Sequence, residues 1–168
     1  MKRIMFLCLL LIVGLCTKAQ TSICGVPFGQ PYDVAKSILY DKFGKADYQN
    51  HNEIWYDNKD YAGLYFGFIA FKFQAEGSRT YFNECFMGKE FSDVSLAKNF
   101  RNMICEKLQD KYDDLEIYKD SNGFLAAKGG ENSINEREYG FFVYIVKNKS
   151  KYIVYLDYGP YNYANEEL

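Results

Sequence analysis

The sequence predicts an α+β fold of two tandem α-β-β-β units, with an antiparallel sheet packed on helices. Three observations lead there. Two segments carry apolar residues at helical spacing. Outside them the chain is dense in aromatics, with 16 Tyr and 14 Phe, which favour strands. The second half also repeats the order of features in the first.

The chain opens as a secretory signal peptide. Lys2 and Arg3 form a basic start, an apolar run from Ile4 to Leu15 is broken only by Gly14, and Thr17-Lys18-Ala19 ends on a small residue suited to cleavage. The run is too short to cross the roughly 30 Å of hydrocarbon in a bilayer. A lipid anchor needs a small residue before its cysteine, but Cys16 follows Leu15 and Cys24 follows Ile23. The expected organisation is a signal peptide over residues 1–19, a first unit over 20–90 and a second over 91–168 with a Tyr-rich tail. The mature chain would be secreted or periplasmic, without a membrane span. Loss of Lys2, Arg3 and Lys18 turns 20 basic and 22 acidic residues into 17 and 22, so net −2 becomes −5. Such a chain has no electrostatic reason to bind nucleic acid.

The first helix enters through Pro31 at an expected first helical position, with Asp33 in the first turn. Val34, Ala35, Ile38, Leu39 and Phe43 form its apolar stripe, and Gly44 stops it. In the second helix Ser92 is the expected N-cap and Phe91 and Leu96 the arms of a hydrophobic staple. Ala97, Phe100, Ile104 and Leu108 line its apolar face, while Lys98, Arg101, Glu106, Lys107 and Asp110 read as solvated. Strands are expected over residues 53–57, 61–74, 79–87, 115–118, 124–128, 138–147 and 151–158, separated by turn chemistry such as Glu76-Gly77-Ser78 and Asn148-Lys149-Ser150. Residues 129–137 are polar and glycine-led, as in a loop. Tyr65-Phe66-Gly67-Phe68 matches Glu138-Tyr139-Gly140-Phe141, and Gly88 matches Gly159, which sets the two units in equivalent register.

Gly25-Val26-Pro27-Phe28-Gly29, the helix that follows and Gly44-Lys45-Ala46-Asp47 make a glycine-led entry, a short helix and a glycine exit. With helix and antiparallel sheet in that order twice, the chain resembles the β-lactamase-inhibitor-protein architecture. A single unit is similar to small outer-membrane-assembly lipoprotein domains. The resemblance implies action by binding proteins and transfers no binding residue. The Lys18-Ala19-Gln20 exit is similar to signal peptides of Bacteroidetes.

No catalytic constellation is recognisable, and nothing in the sequence asks for a cofactor or a metal. The only histidine, His51, lies in the polar run Gln49-Asn50-His51-Asn52, where a lone histidine is normally solvated. Asp57-Asn58-Lys59-Asp60 fails as a calcium loop, with lysine at the third position and no glycine at the sixth. Of the three cysteines beyond the signal, Cys24 and Cys85 are the expected disulfide, because both belong to the first unit. Cys105 reads as a semi-buried thiol, and Cys85 also fits as a plain core residue.

The aromatic surplus is the remaining signal. By strand parity, Phe82, Glu84 and Phe86 share a face with Ile153, Tyr155 and Asp157, mixing rings with acids. Tyr161 and Tyr163 follow Gly159-Pro160 in the tail. These residues form the candidate contact surface for a protein partner carrying basic groups around an apolar anchor, provided loops or the tail leave the face open. The leading expectation is a non-enzymatic binding or scaffold protein. An envelope hydrolase acting on glycan, with acids drawn from loops, and a glycan-binding module are the alternatives.

Overall fold

The structure, a computed structural model, describes residues 22–130 and 139–161. The expected signal peptide, most of the expected loop at 129–137, and Tyr163 lie outside these residues. A small hairpin, β1 (Ser22–Ile23) and β2 (Val26–Pro27), leads into helix α1 (Tyr32–Phe43). Strands β3 (Tyr48–Gln49), β4 (Glu53–Tyr61), β5 (Leu64–Glu76) and β6 (Arg79–Phe91) follow, and then helix α2 (Val94–Gln109). Strands β7 (Glu116–Lys119), β8 (Leu125–Gly129), β9 (Phe141–Asn148) and β10 (Lys151–Tyr158) complete the described chain. The fold is α+β. The strands from β3 onward form one antiparallel sheet in the order β3-β4-β5-β6-β10-β9-β8-β7. Each helix precedes a quartet of strands, and the quartets join where β6 pairs with β10. The extra strand in the first quartet, β3, has two residues, too few to show a period of two; the Asp47 and Asn50 N–H groups bond to the Trp55 and Glu53 carbonyls.

Both helix starts sit one residue away from expectation. Pro31 is the N-cap of α1 rather than its first residue, while Gly44 at φ 80 ends the helix as foreseen. In α2 the cap is Asp93, not Ser92. Its carboxylate accepts from the Ser95 and Leu96 N–H groups at 2.7 and 3.1 Å, outcompeting a neutral hydroxyl at the positive end of the helix dipole. The shift leaves Leu96 exposed, so the staple with Phe91 does not form. Arg101, expected on the solvated face, is buried, and its positive charge opposes the rise that burial gives the Cys105 thiol.

The core lies between the helices and one face of the sheet. Ala35 and Leu39 of α1 and Ala97, Ile104 and Leu108 of α2 belong to one cluster with Ile69, Phe71, Met87, Val154 and Leu156. Cys24, Cys85 and Cys105 are all free and buried, so the expected Cys24–Cys85 bridge is absent from the structure. Cys85 fills an inward position on β6, paired between Phe71 and Tyr158. Burial pushes the Cys24 thiol up to about 12 against the pull of Lys42, and burial raises Cys85 well above its usual range. Such thiols are poor nucleophiles. Labelling the native, non-reduced chain lacking residues 1–19 is therefore expected to be slow, with all three thiols reacting after denaturation. Recovery of a single thiol would restore the bridge.

Two further expectations fail, each for a visible reason. Lys72 pairs with Glu84 but Phe73 pairs with Phe82, so Asn83 is an extra residue on β6. One such bulge inverts the parity of everything before it. Phe82 accordingly turns to the core, fully buried, its ring stacked on Phe28 at 4.7 Å and 8°. Beyond β10 the backbone turns at Gly159 and a cis Gly159–Pro160 bond, and the Tyr161 N–H bonds to the Asn83 carbonyl at 2.8 Å. Tyr161 is not a surface contact residue. It is buried, 4.1 Å from Phe28 between ring centroids, with its hydroxyl donating to the Gly140 carbonyl at 3.4 Å.

Candidate functional site

Among the described residues, no helix covers the opposite face of the sheet. Side chains stand up from it in rows set by the strand register. One row runs Trp55, Ala70, Phe86, Asp157, Phe142 across β4, β5, β6, β10 and β9. The next runs Asp57, Phe68, Gly88, Tyr155, Tyr144. Each row has a small residue between large ones. Trp55 reaches past Ala70 to meet Phe86 edge-on at 5.2 Å and 83°. Phe68 crosses Gly88 to reach Tyr155 at 5.8 Å. A Cβ on Gly88 would lie 2.6 Å from Phe68 Cζ and 2.9 Å from the Val154 carbonyl, so the bare backbone there lets the ring lie down. Tyr155 then stacks on Tyr144 at 5.2 Å and 20°. The result is a continuous aromatic strip of half-buried rings, none of them part of the core cluster.

Ion pairs frame the strip. Lys72 contacts both Glu84 oxygens at 3.3 Å, with its ammonium 4.5 Å above the Phe86 ring. Lys128 pairs with Glu116 at 3.2 Å and lies 4.0 Å above the Tyr139 ring. Lys151 pairs with Glu90. Between them lies an open depression of ≈ 300 Å³ lined by Lys72, Glu84, Phe86, Tyr144, Val146, Tyr155 and Asp157. Burial raises the pKa of both tyrosines, and the negative charge of Asp157 adds to the rise at Tyr144. Both hydroxyls are therefore neutral donors at physiological pH.

Of the expected contact residues, Glu84, Phe86, Tyr155 and Asp157 come together on this face, while Phe82 and Tyr161 lie in the core. Trp55, Phe68, Phe142, Tyr144 and Lys72 join the face without having been singled out from the sequence. Trp55 was detectable, since it alternates with Ile54 and Tyr56, both buried. Tyr144 alternates in the same way with Val143 and Ile145. His51 is exposed in the turn before β4. Among the described residues no three His, Cys, Asp or Glu side chains group as metal ligands, and no helix is long and apolar enough to cross a membrane. No known protein family, curated protein or solved structure matches the chain.

Proposed function

We propose that this is an exported, non-enzymatic binding or scaffold protein that engages a protein partner through the aromatic outer face of its sheet. The carrying observation is the aromatic strip from Trp55 to Tyr144, covered by no helix among the described residues, an apolar centre with a charged rim, which is the anatomy of a protein contact patch. Sugar platforms need open ring faces. Here Trp55 and Phe86 meet edge-on, and Tyr144 and Tyr155 cover each other. A glycosidase needs one carboxyl available as an acid, whereas Glu84 has both oxygens turned to Lys72. Both comparisons favour a protein partner over glycan.

A photo-crosslinking phenylalanine analogue tests this when placed at Phe86 and, as a control, at Tyr40 on the exposed side of α1. Protein adducts should form in the native envelope from position 86 and not from position 40. Trp55→Ala and Tyr155→Ala should weaken binding of the partner so captured by about 1–2 kcal/mol or more, the scale of a hot spot. Adducts from position 40 alone would move the contact surface to the helices.

A further inference from the structure

We propose that the partner met by the outer face is a second copy of this chain, packed face to face about a two-fold axis that runs along the seam between β6 and β10; this rests on the reading of that face as a protein-docking surface. Such an axis lays β6 of one copy over β10 of the other, β5 over β9 and β4 over β8, because those strands stand at equal distances from the seam. A surface that contacts itself must be complementary to itself. The rows of the face meet that condition in shape. Both small positions, Ala70 and Gly88, belong to β5 and β6, on one side of the seam. The rings there lie low, Trp55 reaching past Ala70 and Phe68 crossing Gly88. At the mirrored places in the same two rows stand Phe142 on β9 and Tyr155 on β10. The high ground of each copy therefore comes over the low ground of the other.

The rim meets the condition in charge. Its ion pairs, Lys72–Glu84, Lys128–Glu116 and Lys151–Glu90, carry as many ammoniums as carboxylates. A rim that cancels within itself neither repels its own copy nor draws in a strongly basic or acidic stranger. The same axis brings Trp55 on β4 over Lys128 on β8, since both lie in the row of Ala70 and Phe142. An ammonium beside a ring is a pairing the face already makes between Lys72 and Phe86, at 4.5 Å. The extent of the face sets the strength. From β4 to β8 it spans about 24 Å of strand spacings, and from Lys151 to Asp157 along β10 about 20 Å. Two such faces in contact remove about 1,000 Å² from water, the lower bound for a specific interface. The dimer is therefore expected to come apart on dilution rather than to be permanent.

The test is sedimentation equilibrium of the chain lacking residues 1–19, joined to a crosslink that reads the register. The chain should associate reversibly to a dimer and no further, because a two-fold contact closes on itself. Phe142→Asp puts a carboxylate over Ala70 of the other copy and should raise the dissociation constant about tenfold or more. Tyr40→Asp, on the exposed side of α1, should leave it unchanged. Chains carrying Trp55→Cys and Lys128→Cys, mixed under mild oxidation, should give a disulfide-linked heterodimer, and neither alone should. Within one chain these positions lie about 24 Å apart, too far to bridge. Dispersed amide spectra certify that each variant is folded. A dimer that ignores Phe142→Asp, or whose mixed cysteines stay unlinked, would overturn the inference by placing self-association elsewhere. A chain that stays monomeric at millimolar concentration would overturn it as well. Crosslinking at Phe86 then decides the face separately: adducts with other proteins would keep the docking surface, and no adducts would remove both readings.

Discussion

Phe82→Ala is expected to destabilise the fold by about 3–5 kcal/mol, the scale for a fully buried phenylalanine. Phe86→Ala, on the same strand, should cost only about 1 kcal/mol. The two residues look alike in sequence, sharing one parity four positions apart on a single expected strand. The bulge at Asn83 separates them: Phe82 packs against Phe28, Phe71 and Phe73 in the core, whereas Phe86 meets Trp55 and Phe68 on the open face. Urea unfolding of both variants measures the contrast, and equal m-values would establish that the same two states are compared. A tolerated Phe82→Ala with a collapsed Phe86→Ala would mean that the bulge is absent and the sheet is inside out.

The second large effect is expected at Gly159, which holds φ 93 between the end of β10 and the docked Tyr161. Alanine there meets two obstacles. The left-handed backbone costs a residue with a Cβ about 1–3 kcal/mol. That Cβ would also lie 2.5 Å from the Asn83 carbonyl oxygen, which is backbone and already accepts the Tyr161 N–H. Overpacking of this kind adds about 1–3 kcal/mol. Gly159→Ala should therefore lower the melting temperature by at least about 4 °C, and the near-ultraviolet circular dichroism of the buried tyrosines should change with it. Gly77→Ala is the control, because Gly77 also has positive φ but nothing stands within 4 Å of its would-be Cβ. Equal losses in the two variants would show that the tail is not anchored at Asn83.

Sequence reading reached the fold class because the governing signals are local. The stripe of α1 and its glycine stop, the turn at Gly77 and the alternation in β10 each depend on residues within a few positions. It lost the helix caps by one residue because Ser92 and Asp93 are both competent caps and only the chain's approach to the sheet chooses between them. The face assignment held for Glu84, Phe86, Tyr155 and Asp157, which lie on one side of the bulge, and failed for Phe82 on the other. Nothing in Tyr81-Phe82-Asn83-Glu84 announces an extra residue, since a bulge is a property of two strands paired. The tail misled in the same way. A tyrosine after Gly-Pro can point outward or fold back, and the space beside Phe28 that captures Tyr161 is made by distant residues.

The sheet ends in a two-residue strand on one side and a four-residue strand bearing Glu116 and Lys119 on the other. One terminal strand is very short and the other short and charged, so neither offers a foreign strand much backbone ladder of its own to extend. Edge-to-edge growth through the two terminal strands is thereby limited. On the proposed reading, a partner would be met from above, by side chains, and a helix, a loop or a folded surface would serve equally well as the counterpart.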